Sequence, residues 1–362
     1  MNSAQPAQMQ TEDTRLRKGR LSSSVITLAH GGGGKAMRDL IDDVFVATFS
    51  NPVLNTLEDQ ARFDLSDLAR HGDRLAMTTD SYVIDPIFFP GGDIGKLAIC
   101  GTVNDLAVGG AEPLYLTCGM IIEEGMQVDT LRGIVESMAR TAREAGVMIV
   151  TGDTKVVEKG SCDKLFINTA GVGIIPKQYR LGADQAQGGD RILVNGYLGD
   201  HGAAILDARG DMNLSSPIES DCAPLQDLIR VLLEAAPNTR FIRDATRGGI
   251  ASVLNEIAES SACGIEIEER ATPIRGEVKG FCEILGLDPL YLANEGKIVS
   301  VVPEDETEAA LAALRVHPLG AEAADIGAVL HDGRAGRVHM QTGFGGKRIV
   351  DMLVGEQLPR IC

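Results

Sequence analysis

The stretch 103-VNDLAVGGAEP-113 decides how this chain folds. Read with the residues before it, GKLAICGTVNDLAVGG (95–110) is a buried helix, and its paired glycines stop it. The strand LAMTTDSYVI (75–84) precedes it and the strand LYLTCGMII (114–122) follows. Further on, Leu131, Ile134, Val135, Met138, Ala142 and Ala145 recur at helical spacing, with Gly146 as the stop. VMIVTGDTKVV and KLFINTAGVGII are two more strands. This alternation defines an N-terminal domain over residues 25–175.

The polar, glycine-bearing stretch PKQYRLGADQAQGGDR (176–191) reads as a linker. A second domain over 192–342 starts with the strand RILVNGYLG. It continues with helices in LQDLIRVLLEAA and GGIASVLNEIAESSACG, then strands in IEIEE, KIVSVVP, IGAVL and RVHMQT. Residues 343–362 read as a glycine-opened mobile tail ending in Cys362, with an extended reach of roughly 60 Å. Residues 1–24 read as a flexible extension without the apolar core of a signal peptide.

The chain has 362 residues, which suits two domains, and a net charge of −17. So acidic a surface repels phosphodiester backbones and anionic lipid, which argues against nucleic-acid and membrane roles. No apolar run has membrane-spanning length. Seven cysteines without a CxxC pair fit reduced thiols in the cytoplasm better than a disulfide framework. A cysteine in last position is chance or chemistry, and the residue alone does not decide.

Other residues point to a site. The run 29-AHGGGGKAMRDLI-41, with Gly32 and Gly33 inside it, fails the Walker and dinucleotide patterns. It is either a hinge or a cradle of backbone N–H groups for an anion. Asp80, Asp105, Asp153 and Asp244 each stand where an apolar segment meets a turn. Individually they are turn residues; together they offer a hard divalent ion its oxygens. Lys155 follows 151-TGDT-154, and Glu295 lies in 293-ANEGK-297. Each is a surface charge or a group for proton and charge handling.

Taken together, the glycine run, 80-DS-81, 103-VNDLAVGGAEP-113, 151-TGDTKVV-157, 244-DATRGG-249, 294-NEGK-297 and terminal 359-PRIC-362 resemble one family. It is the HypE family of hydrogenase maturation factors, within the superfamily of aminoimidazole ribonucleotide synthetase and selenophosphate synthetase. The resemblance runs from about Val25 to Cys362. It implies an α+β (mixed α/β) PurM-like fold of two domains, each a mixed sheet packed by helices, and a homodimer formed through the first domain. It also implies ATP with Mg²⁺ as cofactors. The partners implied are the carbamoyltransferase HypF and an iron-carrying HypC–HypD complex.

In that family the terminal cysteine carries a carbamoyl group. ATP-dependent dehydration turns the thiocarboxamide into a thiocyanate, a source of cyanide for the hydrogenase iron. Carried over, Cys362 is the carrier, Glu295 the candidate base and Lys155 the charge-stabilising group. Asp80, Asp105, Asp153 and Asp244 fall in motifs for ATP and Mg²⁺. Asn104, Thr246 and Gly248 become neighbours of the phosphates or the purine. Two rivals stay open: a synthetase or kinase of the same superfamily acting on a free small molecule, and a non-catalytic thiol scaffold delivering metal. Selenophosphate synthetase carries its reactive residue near the N-terminus, and no cysteine precedes Cys100 here.

Overall fold

Alternation along one strand sets up the first domain. In β1 (Arg74–Tyr82), Ala76, Thr78, Asp80 and Tyr82 turn to the covered side, and Leu75, Met77, Thr79 and Ser81 stay exposed. The helix α1 (Ile94–Val108) crosses that covered side, followed by β2 (Glu112–Glu123), α2 (Val128–Glu144), β3 (Met148–Val157) and β4 (Leu165–Ile175). The strands hydrogen-bond in the order β1-β4-β2-β3, antiparallel except for the β2–β3 pair, so β1 and β3 are the two edges. The computed structural model describes residues 21–210, 218–331, 336–353, 355 and 360–362.

Thirteen of the fifteen residues of α1 are buried, because its second side packs on the other domain. That explains an apolar pattern without a polar face. Gly101 belongs to this packing, since a Cβ there would lie 2.4 Å from the Tyr82 hydroxyl. By contrast α2 is one-sided and buries Leu131, Ile134, Val135, Met138 and Ala142.

The second domain contains β5 (Arg191–Val194), α3 (Asp200–Ala208), α4 (Gln226–Ala235), β6 (Phe241–Asp244), α5 (Gly249–Ser260), β7 (Gly264–Glu268), α6 (Gly276–Leu285), β8 (Ile298–Val302), α7 (Thr307–Val316), β9 (Ala324–Leu330), β10 (Arg337–Gln341) and β11 (Lys347–Val350). Its strands form one mixed sheet in the order β11-β10-β7-β9-β5-β8-β6. β6 is therefore an edge, and α1 packs against it. Residues 176–190 between the domains carry no helix or strand.

Three features differ from the sequence reading. β5 stops at Val194, where Asn195 turns its side chain to bond the Gly296 and Leu319 carbonyls and the Ile298 N–H. β6 is only four residues long, too short for a periodic signal. The tail expected from residue 343 starts instead as a hairpin, because Gly345 at φ 88° lets Thr342 and Gly346 bond and β11 pair with β10. The remaining mobility expected for the tail concerns residues 354 and 356–359, which lie outside the described residues, as do 1–20 of the N-terminal extension.

The Asp93 carboxylate caps α1: Oδ1 accepts the Gly95 and Lys96 N–H groups at 2.8 and 3.1 Å, and Oδ2 accepts the Ser137 hydroxyl at 2.5 Å. Asp93→Ala is expected to cost about 1–2 kcal/mol for the cap alone, read as a lower midpoint in urea. Asp93→Asn, which keeps an acceptor for the helix, should recover part of the loss.

Candidate functional site

The site lies where β1, α1 and β6 meet. Asp80 comes from β1, Asp105 from the last turn of α1 and Asp244 from the last position of β6. A cavity of about 480 Å³ opens there, lined by Thr78, Asp105, Arg243, Asp244, Thr246 and Arg247 among others. Thr78 Oγ1 donates to Asp105 Oδ2 at 2.9 Å, and Arg247 Nη2 stands 3.5 Å from Asp80 Oδ1. Burial, with Asp105 and Asp80 adding repulsion, pushes the Asp244 carboxyl up to about 7. Burial likewise raises Asp105, with Thr78 opposing and Asp80 adding to the rise.

That mutual repulsion suits a cation. Among the described residues no three His, Cys, Asp or Glu side chains are gathered as a bare ion site. Mg²⁺ bound through substrate phosphates needs only one or two protein carboxylates, and Asp105 with Asp244 fit that role.

The last residues of the chain dock beside this cluster. The Val83 N–H donates to the Cys362 carbonyl at 3.2 Å and the Asp85 N–H to the Arg360 carbonyl at 3.3 Å, an antiparallel pairing beyond the end of β1. Arg209 Nη2 also donates to the Arg360 carbonyl (2.7 Å), while Arg360 Nη1 reaches Asp163 Oδ2 (2.9 Å). Ile361 is thereby buried, and the Cys362 thiol comes to lie beside Glu295, Asp80 and Arg247. Burial pushes that thiol up to about 12; Glu295 and Asp80 add to the rise, and Arg247 opposes it.

Glu295 is 3 % exposed, and its Oε1 has no hydrogen-bond partner among the described residues. Burial holds its carboxyl well above the usual range, reinforced by Cys222, Asp244, Asp221 and Asp80. Its backbone is fixed by Asp221, whose two oxygens accept the N–H groups of Glu295 and Gly296 at 3.0 and 3.2 Å. Lys297 Nζ balances that carboxylate at 3.0 Å. Asp221 lies below the usual carboxylate range: Lys297 and the donated N–H groups outweigh burial, the largest single influence, which acts upward.

The residues singled out in the sequence therefore fall into two groups. Asp80, Asp105, Asp244, Thr246, Glu295 and Cys362 gather at the β1 edge. Gly248, in the left-handed region at φ 75°, caps the following helix α5. Asp153 and Lys155 stand on the open face of β3, paired with Gly119 and Ile121 of β2, and the glycine run packs against the same strand. A Cβ on Gly31 would lie 2.7 Å from the Val156 nitrogen. Gly32 and Gly33 follow at this edge, with Gly33 at φ 77°. Three strand spacings, about 14 Å, separate the two edges of the sheet.

Asn104, expected near phosphate, is buried and fully engaged: its amide donates to the Ala223 and Glu295 carbonyls and accepts the Leu225 N–H. It joins the domains. Arg247, Asp221 and His201 were not singled out from sequence. Arg247 lay inside the quoted 244-DATRGG-249; the other two sit in no motif.

Comparison with known proteins gives the same grouping a family. Residues 57–175 match AIR synthase related protein, N-terminal domain, and residues 187–339 match its C-terminal domain. Carbamoyl dehydratase HypE of Rhodobacter capsulatus is 61% identical over 337 residues, covering 93% of this chain and 98% of that protein. The chain belongs to the HypE family. A crystal structure of hydrogenase maturation protein HypE in complex with ATP matches with a TM-score of 0.87 and 51% identity, over 93% of this chain and 99% of the other. HypE from a HypE–HypF complex matches at 0.75 and 46%, over 87% and 99%. The two-domain PurM-like fold expected from sequence is thus the fold observed.

The raised Asp244 has a consequence for this HypE-family chain on its own. Its folded carboxyl, at about 7, stands above the unfolded value near 3.9. The folded state holds the extra proton between those values, so stability falls as pH rises from about 4 to 7. Asp244→Asn should reduce this slope. Its Tm is expected to exceed that of the parent above pH 7, with the gap closing towards pH 4; a gap independent of pH would show that Asp244 ionises normally.

Proposed function

We propose that this chain dehydrates a carbamoyl group carried on its own Cys362, yielding a thiocyanate as a source of cyanide for a [NiFe]-hydrogenase iron. Its family makes it an ATP-dependent carbamoyl dehydratase. The observation that carries the residue assignment is the docked C-terminus, which holds the Cys362 thiol beside the buried carboxyl of Glu295, whose Oε1 has no hydrogen-bond partner among the described residues.

The docked thiol is protonated and a poor nucleophile, since its pKa is pushed up to about 12. Loading by HypF therefore belongs to an undocked tail, where the thiol ionises normally, and dehydration to the docked one. ATP supplies phosphoryl activation of the carbamoyl oxygen, with Mg²⁺ offsetting phosphate charge. Asp105 and Asp244, with Asp80 beside them, would hold the ion. Burial raises the Glu295 carboxyl, so once ionised it is a stronger base than a surface glutamate and would take a proton from the carbamoyl nitrogen on the neighbouring Cys362. Arg247 would support the thiolate that forms if the S–C bond breaks with its electron pair staying on sulfur, the iron-carrying HypC–HypD complex supplying the pair that binds the CN carbon.

Lys155, Asp153 and the glycine run sit on the wrong edge to act on Cys362 of their own chain. A homodimer resolves this. The open sheet face exposes Leu75, Met77, Ile121 and Met148, an apolar surface suited to a second copy. A two-fold contact between such faces, with its axis along the strands, would set β3 of one copy beside β1 of the other. Lys155 then acts in trans. A reduced cytoplasm suits the seven free cysteines.

Mass analysis of the C-terminal peptide tests the core reading. After incubation with HypF, carbamoyl phosphate and ATP, Cys362 should gain a carbamoyl group and then lose one water only with Mg²⁺-ATP. Cys362→Ser should acquire neither change. Mixing Lys155→Ala with Glu295→Ala protomers tests the sharing of sites. Each homodimer should be inactive, and the statistical mixture should recover about a quarter of the parent activity. No recovery despite exchanged subunits would put Lys155 in cis.

A further inference from the structure

His201, at the start of α3, is fully buried 160 positions before its partner in the tail. Its Nε2 is 2.8 Å from the Ile361 carbonyl, and its Nδ1 is 2.8 Å from Ser220 Oγ. A carbonyl only accepts, so Nε2 carries the hydrogen, and the Ser220 hydroxyl donates to Nδ1. Burial holds the imidazole neutral, consistent with that tautomer. Phe89 closes the pocket edge-on, its centroid 5.6 Å from that of the imidazole.

Ser220 opens a short strap, 220–222, that reaches the reacting groups. Its N–H donates to the Pro90 carbonyl, and its Oγ accepts the Cys222 N–H at 3.1 Å. Asp221, the next residue, clamps the Glu295 and Gly296 backbone. Hydrogen bonds thus run from the tail carbonyl through His201 to Ser220, and the 220–222 backbone carries the connection on to Asp221 and the segment that presents Glu295.

We infer that His201 is a positioning residue: it fixes the register of the inserted tail through the Ile361 carbonyl and, through the 220–222 strap, ties that register to Glu295. The inference rests on Cys362 being the group processed here. Register matters because a carbamoyl carbon one residue out of place misses both Glu295 and the acidic cluster. The Val83 and Asp85 pairings use backbone alone and tolerate a slide by two residues, whereas a single buried imidazole admits one carbonyl.

The test compares His201→Ala with His201→Gln, whose amide can donate to Ile361 and accept from Ser220. Alkylation of Cys362 by a small thiol reagent, followed by mass spectrometry, reads docking without any catalytic step. The buried Cys100 and Cys118 serve as internal controls for unfolding. His201→Ala should alkylate at Cys362 about tenfold faster, with Cys100 and Cys118 unchanged. On tail already carbamoylated, its ATP-dependent dehydration should slow by a similar factor at unchanged KM for ATP, and His201→Gln should restore both. Unchanged Cys362 alkylation in His201→Ala overturns the inference, as does acceleration of all three thiols together. Failure of the parent protein to dehydrate its loaded tail would instead overturn the functional reading, while the alkylation result stands independently.

Discussion

Everything at this site hangs on one helix buried from two sides. α1 packs on its own sheet with one face and on β6 of the second domain with another. A helix in that position cannot afford an unpaired polar group. Asn104 therefore bonds across the domain junction in three directions, and Asp105 faces the cavity, where Thr78 partners it. The same helix that holds the domains together delivers the first carboxylate of the acidic cluster.

From that constraint follows the electrostatic character of the site. Asp80, Asp105, Asp244 and Glu295 converge from three elements and a loop into largely buried space, where Arg243 and Arg247 approach them as cations. In isolation the arrangement is unfavourable, which is why Asp105, Asp244 and Glu295 all hold their protons more tightly than usual. Such a cluster is tolerable in a folded chain only when surrounding structure enforces it. On the proposed function, a bound cation and phosphates would convert the same repulsion into affinity, and a neutral carbamoylated sulfur would enter without adding charge.

On the proposed function, the docked C-terminus divides the chemistry in space. Docked, the thiol is protonated and the carbonyls of Cys362, Arg360 and Ile361 are held by Val83, Arg209 and His201; undocked, it would behave as an ordinary cysteine. For the proposed reaction, separating the two states would keep the site from reacting with an unloaded tail. It also explains why the last three residues are so closely bonded although they follow a polar, glycine-opened segment.

How much of this was legible beforehand depended on the range of the signal. Strands β1 to β4 and helix α2 announced themselves through local pattern, and α1 through a long apolar run stopped by glycines; their observed limits lie close to those read from sequence. The chain alone also carried the residue types: the terminal cysteine, the aspartates beside turns, Glu295 within 294-NEGK-297, and the acidic surface that argues against nucleic acid. Short elements such as β6 left no periodic trace, and β11 was hidden because a glycine-rich opening reads equally as tail or hairpin. Pairwise placement was the part that only the tertiary structure decided. Sheet order put Lys155 and Asp153 at the opposite edge from Asp80, and burial turned Asn104 from a candidate phosphate neighbour into a joint between domains. His201 and Asp221 acquired roles only through contacts 160 and 74 positions away. Sequence spacing encodes neighbours a few residues apart, whereas strand order and domain packing set every longer distance.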